Sequence, residues 1–253
     1  MIDPGAANYQ HAAGAYQRGR PSYPASALRL LADELDIVPG RRVVDVGAGT
    51  GKLTELLVST GAEVTAVEPV AAMRGELASA LPDVDLRDGT AEALPLEDQS
   101  VDVVVVAQAF HWFDHVAARQ EFGRVLGPKG GLGLVSNDYD LAVPWVAAFA
   151  EVYRSRAPAG RPQLSDQLWR RAFQDLRGWT PLREARIPNP QRSTRTGLIE
   201  RALSSSWVAG LDTEEQVEIA RDVDAVLDDY ADTRARAELD LPYITEIHWC
   251  HRA

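Results

Sequence analysis

In the stretch "VVDVGAGTGKLT", Val43 to Thr54, an acid, three glycines and a lysine stand at Asp45, Gly47, Gly49, Gly51 and Lys52. Such a loop at a strand end receives a nucleotide-like ligand, because glycine permits a tight turn and close approach to the backbone. A phosphate-cradling loop needs a glycine, four residues, then Gly-Lys followed by Ser or Thr. Here Val46 occupies the first position and Leu53 follows Lys52, so both ends fail. A dinucleotide loop fits in part, since Gly47 and Gly49 supply GxG, but its third glycine is due at Lys52 and falls at Gly51. Asp45 is poorly placed beside a pyrophosphate and better suited to a cationic or hydrogen-bond-donating ligand. Glu68, 21 residues past Gly47, can accept from both hydroxyls of a ribose, which disfavours NADP but suits NAD.

The blocks that follow narrow the choice. DxGxGxG at Asp45 to Gly51, then "AVEPVAAM", then "GTAEALPLEDQSVDVVVVAQAFHWF" occur in order over residues 41–113. Together they resemble the class I S-adenosylmethionine-dependent methyltransferases, whose cofactor has a sulfonium, an ammonium and no phosphate. The resemblance implies that Gly47, Ala48, Gly49 and Gly51 lie under the methionine and ribose of the cofactor, with Asp45 part of the same loop. It implies Glu68 on the ribose hydroxyls, Met73 near the adenine, Thr90 and Ala91 at the ring edge, and Gln108 beside the reacting centre. The upstream "AYQRGRPSYP" (15–24) and the distal "SSSWVAGL" resemble small-molecule methyltransferases of the trans-aconitate and quinone-pathway type. That likeness implies Tyr16 and Arg20 closing over the cofactor, with Arg20 facing its carboxylate. The plain alternative is a proline-stiffened arm packed on the first helix.

Methyl transfer from a sulfonium is an in-line displacement of an already activated electrophile, so the protein mainly supplies proximity, orientation and exclusion of water. Aromatic faces favour such a cation by about 0.5–2 kcal/mol, and Tyr16, Phe110 and Trp112 are candidates, with core packing equally open for Phe110. His111, just after the fourth strand, suits a general base toward a hydroxyl or amine, whereas a carboxylate acceptor would need none. His111 is therefore expected in the substrate pocket with Phe110, Trp112 and Trp207, as base or as orienting group. Arg192 and Arg195 are candidates to meet an acidic substrate, and paired recognition of a polycarboxylate would need at least two arginines. Surface charge is the alternative for each. His111 and His115 lack the glutamate of a zinc hydrolase motif, and His248, Cys250 and His251 alternate across a strand. No metal site is expected.

The elements that must position these residues alternate short β-branched runs with amphipathic helical segments, the pattern of βαβ units. Strands are expected at 41–47, 62–68, 84–89, 101–108 and 131–138, and helices between them. "VDVVVVA" suits the centre of a parallel sheet buried on both faces. Beyond Tyr139 the spacing predicts helices, including 163–178, 194–209 and 212–231, with a further strand near 181–188 and a closing strand in "LPYITEIHWCHR". The expected fold is α/β, a doubly wound, mostly parallel seven-stranded sheet with a helical lid insertion. One domain is expected: an arm and helix over 1–40, a cofactor-binding core over 41–139, a lid and late strand over 140–235, and a closing strand over 236–253.

Across 253 residues the net charge is −11, which leaves no overall positive field with which to displace counterions from a nucleic-acid backbone. A single cysteine, Cys250, excludes an intrachain disulfide and fits a reducing compartment. No apolar run approaches the roughly 20 residues of a membrane span, and no signal pattern opens the sequence. The expectation is a cytoplasmic enzyme with a small-molecule methyl acceptor, through oxygen or carbon, and with neither nucleic acid nor membrane as partner. Cofactor binding without methyl transfer, and an NAD-dependent oxidoreductase, are the alternatives.

Overall fold

Val43 and Val44, like Val103 through Val106, are all but fully buried, yet successive residues belong to two different apolar clusters. Side chains alternate across a strand, so a run buried at every position marks a sheet covered on both faces. The computed structural model describes residues 21–157, 168–175, 177–205 and 208–253. In it strands β1 (Arg42–Val46), β2 (Glu63–Val67), β3 (Asp85–Arg87), β4 (Val101–Ala107) and β5 (Leu126–Tyr139) pair in parallel. β6 (Arg183–Pro188) and β9 (Tyr243–His251) complete a seven-stranded sheet of order β3-β2-β1-β4-β5-β9-β6, with β9 antiparallel to both neighbours. The reversal of strand order beside β1 opens a crevice at the carboxyl ends of β1 and β4, where ligands bind in open α/β sheets.

Helix α1 (Ala25–Leu35) buries Ala27, Leu31 and Leu35, spaced by four, against β5 and β9. Helix α2 (Lys52–Val58) sets Leu53 and Leu57 into the same layer. On the other face, α4 (His115–Val125) contributes Ala118, Phe122 and Val125, and Asp114 caps it by accepting from the N–H groups of Val116 and Ala117. Helix α3 (Ala71–Ala80) buries Met73 and Leu77 after β2.

A third apolar cluster sits beyond the carboxyl end of β5 and the amino end of β9. It joins Tyr139 and Tyr243 to α5 (Pro144–Arg154), α6 (Arg195–Leu203) and α7 (Thr213–Asp229). Helix α7 opens on a capping box formed by Asp212 and Glu215. A two-stranded ribbon of β7 (Gln191–Thr194) and β8 (Glu238–Leu241) braces this unit and is absent from the sequence expectation. Two boundaries also differ from expectation. β5 begins at Leu126 rather than 131, across a register shift opposite Val101–Val103. Within the helix expected over 163–178, the described residues Leu168–Phe173 form a 3-10 segment that buries Trp169 and Phe173 against the sheet.

Candidate functional site

The first βα turn builds the floor of the crevice. Gly47 has φ +69° and Gly49 φ +59°, in the left-handed region where side chains are strained. A Cβ on Gly47 would come within 2.7 Å of the Ala109 Cβ, whereas one on Gly49 would meet nothing within 4 Å. Gly47 is thus required by close packing of two loops, while Gly49 faces open space. Gly51, at φ +89°, heads α2 and would press a Cβ to 3.0 Å from Leu77 Cγ. Its role is packing under the loop, and it does not line the cleft.

Glu68, at the end of β2, is only 5% exposed. Its Oε2 accepts from the Gly49 N–H at 2.9 Å and its Oε1 from the Val70 N–H at 2.8 Å. Burial pushes this carboxyl above the usual range, and the two N–H bonds and Arg74 hold it down in part. Each oxygen keeps a lone pair after its backbone bond, so the carboxylate is fixed in place with acceptor capacity facing the cleft. Beside it Val70, Met73, Trp112 and Phe113 supply an apolar wall. On the other side of Gly47 and Gly49 the cleft is lined by Tyr23, Thr50, Lys52 and Gln108.

Gln108 closes β4 in the left-handed region at φ +56°, an unusual conformation for a side chain of this size. Its N–H donates to the Val135 carbonyl and its side-chain amide to the Asn137 carbonyl at 2.7 Å. The strained residue is therefore held at both ends by β5. The Asn137 side chain in turn donates to the Ser22 carbonyl at 3.2 Å, as does Asn189 at 2.9 Å, and accepts from Thr245 at 2.6 Å. This buried network ties the segment before α1 to the tips of β5, β6 and β9.

Several expected residues lie elsewhere. Asp45 is fully buried and accepts from the Thr54 hydroxyl at 2.7 Å on α2, so it ties strand to helix instead of lining the cleft. Burial pushes its carboxyl up to about 7. Phe110, 3% exposed, stands in an aromatic cluster with Phe113, Phe122, Trp169 and Phe173 at centroid distances of 5.8–6.3 Å. The 3-10 turn Phe110–Trp112 points it into the core, opposite to the pocket role expected of it. Ala91 is also core, and Thr90 forms a bridge with Ala93 at the edge of that loop. Neither lines the cleft. His111, half-buried, sets its ring 4.6 Å from that of Trp112, while Ala48 lies in the loop lining. Tyr16, Arg20 and Trp207 fall outside the described residues.

The two candidate arginines are occupied at the surface. Arg192 pairs with Glu238 across the ribbon, and Arg195 pairs with Asp224 at 2.5 Å and Asp228 at 2.7 Å on α7. Tyr23, Val70, Phe113 and Asn137 escaped the sequence reading of the site. Tyr23 stood inside the quoted "AYQRGRPSYP", and Asn137 was signalled by polar residues ending an otherwise apolar strand. Among the described residues no group of three His, Cys, Asp or Glu is placed to hold a metal, and no helix is long and apolar enough to cross a membrane.

Residues 44–134 match a family described as a methyltransferase domain. A methyltransferase-like protein of Schizosaccharomyces pombe, itself uncharacterized, is 35% identical over 215 residues, covering 83% of this chain and 82% of that protein. The chain belongs to the class I S-adenosylmethionine-dependent methyltransferases. An uncharacterized methyltransferase of Mycobacterium bovis is 50% identical over 145 residues, and the match spans 57% of this chain and 58% of that relative, little more than half of each. A solved structure of a candidate type II methyltransferase from Anaeromyxobacter dehalogenans shares the fold, with TM-score 0.63 at 24% identity over 92% of this chain and 97% of that one. The matched 44–134 segment of this methyltransferase holds the glycine turn, Glu68, Gln108 and His111, whereas Arg201, Tyr243 and helices α5 to α7 lie outside it.

Proposed function

We propose that this protein transfers a methyl group from S-adenosylmethionine to the oxygen or carbon of a small-molecule acceptor. The observation that carries the reading is Glu68, clamped by the N–H groups of Gly49 and Val70 beside a glycine whose open side faces the cleft. The fit to the cofactor is chemical. A fixed carboxylate pairs with two vicinal hydroxyls, Val70, Met73, Trp112 and Phe113 suit a planar heterocycle, and no cationic cradle for a phosphate is needed. The cofactor, when bound, supplies a methyl group on sulfur already activated for displacement.

What remains for the chain is to bind, orient and exclude water. Gly47 and Gly49 let the ligand touch backbone, Gln108 is locked at the tip of β4 with its amide turned toward β5, and Tyr23 covers the loop from the side of the arm. His111, whose ring lies beside that of the cleft-lining Trp112, orients the acceptor and takes its proton where the nucleophile is a hydroxyl. Soluble small molecules are favoured over nucleic acid as acceptors by the net charge of −11.

Equilibrium binding of S-adenosylhomocysteine against NAD tests the cofactor half. Binding of the former alone is expected, and tight NAD binding without it would sink the reading. Transfer of tritiated methyl into a metabolite extract tests the acceptor half. Persistent absence of labelled product in a protein that binds S-adenosylhomocysteine would leave a cofactor-binding protein that does not methylate.

A further inference from the structure

Helix α6 carries a charge on its apolar stripe. Leu198, Arg201 and Ala202, spaced by three and four, share one buried face, and Arg201 is 8% exposed. Its Nε donates to the Tyr243 hydroxyl at 3.0 Å, and its guanidinium lies over the Tyr139 ring, 5.6 Å from the centroid. Its Nη1 is buried and donates to nothing among the described residues. The groups facing it are phenols: Tyr139, Tyr243 and Tyr153, the last donating to the Tyr139 hydroxyl at 2.8 Å. No carboxylate among the described residues pairs with it, in contrast to Arg154 on Asp138, Arg192 on Glu238 and Arg195 on Asp224 and Asp228.

A buried guanidinium without a counter-ion is costly, because its desolvation is not offset by an opposite charge. Chains of this size keep their buried charges paired, and an unsatisfied buried donor calls for a partner. Position says what the partner is for. Tyr139 stands directly opposite Tyr243 in the β5–β9 ladder. It lies two residues past Asn137, whose carbonyl receives the Gln108 amide. Two strand residues span roughly 7 Å, so Tyr139, under the guanidinium, stands about that far along β5 from the carbonyl that holds Gln108. A guanidinium edge matches the planar geometry of a carboxylate, and phenol hydroxyls add donors to it.

We propose that Arg201, with Tyr139, Tyr153 and Tyr243, receives a carboxylate of the methyl acceptor and so selects carboxylic acids as substrates. The assignment rests on the methyl-transfer reading for the meaning of the ligand, but its test does not depend on it. Succinate, citrate and benzoate, with succinamide and benzamide as uncharged controls, would be titrated calorimetrically into wild-type protein and Arg201→Met, each with and without S-adenosylhomocysteine.

The wild type is expected to bind at least one of these carboxylates saturably and neither amide, and Arg201→Met to lose about 10- to 150-fold in that affinity with S-adenosylhomocysteine affinity unchanged. Because it removes an unpaired buried charge, Arg201→Met is also expected to melt no lower than wild type without ligand. Failure of the wild type to bind any of the three acids, or equal binding by the variant, overturns the proposal. So does a large fall in melting temperature, which would mark the arginine as a structural tie to Tyr243. Should Arg201→Met not fold, Arg201→Lys carries the decision, since it keeps the charge but loses the fork, and undiminished carboxylate affinity there is equally fatal. A wild type that binds acids but not S-adenosylhomocysteine would refute the methyl-transfer reading and leave this site standing.

Discussion

Replacing Glu68 with alanine removes a group that both fixes the glycine loop and lines the cleft. In the free protein its two oxygens each accept one backbone N–H, at 2.9 and 2.8 Å. Both donors sit at the wall of an open cleft, where water can replace the lost acceptor. The fold should therefore survive, helped by removal of a carboxylate that burial already disfavours. Cofactor affinity should not survive. A hydrogen bond to a charged group contributes about 1.5–3 kcal/mol net, so loss of even one ribose contact without replacement corresponds to about 10- to 150-fold weaker binding. Loss of both would exceed that range. Calorimetric titration with S-adenosylhomocysteine at pH 7.5, beside a circular-dichroism melt, reads the two effects separately. Glu68→Gln serves as the isosteric control, since its amide must turn an N–H2 toward the Gly49 or Val70 donor, and it too should weaken binding. A Glu68→Ala protein that stays folded and binds within about threefold of wild type would remove the ribose assignment and the reading built on it.

Gly49→Val should leave a folded protein, since no atom stands within 4 Å of the new Cβ, but lower its stability by about 1–3 kcal/mol through the left-handed backbone at φ +59°, and abolish measurable S-adenosylhomocysteine binding by calorimetry. Gly51→Ala should also lower stability by about 1–3 kcal/mol in urea melts, through left-handed backbone and crowding against Leu77. Asp45, pushed by burial up to about 7, binds a proton in the folded chain that the unfolded chain has already released. Its contribution is fully present below about pH 4 and is lost as pH rises toward 7, so wild-type stability should fall across that window. Asp45→Asn should flatten that slope in urea melts at pH 4.5 and 7.5, and an unchanged slope would show that Asp45 is not the group responsible. Asp212→Ala removes a capping-box partner of α7 and should cost about 0.5–2 kcal/mol in the same melts, with S-adenosylhomocysteine binding untouched.

The centre of the parallel half was legible because β4 and most of β1 are buried on both faces and spell apolar runs, as in "VDVVVVA", whereas β2 and β3 towards the sheet edge carry exposed or half-buried polar residues. Glu68 and the open glycine were legible as cleft residues because both sit just past strand ends that border the crevice. Asp45 was read as facing that ligand, yet strand alternation puts it on the inner side, bound to Thr54. Sequence spacing gives no sign of that partner. Phe110 and Ala91 follow from the same gap: an apolar residue next to a cleft reads alike whether its turn points in or out, and here packing with Phe122, Trp169 and Phe173 drew Phe110 inward. The ribbon of β7 and β8 was hidden because "QRST" is polar and four residues long, so neither period nor β-branching exceeds background. Arg201 was the residue most open to discovery. A charge at the buried position of "RTGLIERAL" breaks the helical stripe, and only its rank among many arginines concealed it.

Strand β9 has a consequence for how this chain reaches its native state. It fills the slot between β5 and β6, yet its partners on β5 lie about a hundred residues away in sequence. Until that return is made, β5 presents a long unpaired edge flanked by the apolar residues Leu132, Leu134 and Val135, the kind of edge on which copies of a chain stick together. Closure over so long a loop is slow, so the half of the protein that carries the glycine turn must wait, edge exposed, for a strand that contributes nothing to that turn. Expression at lower temperature, or with chaperones that shield open sheet edges, should therefore raise soluble yield more than any stabilisation of the parallel half.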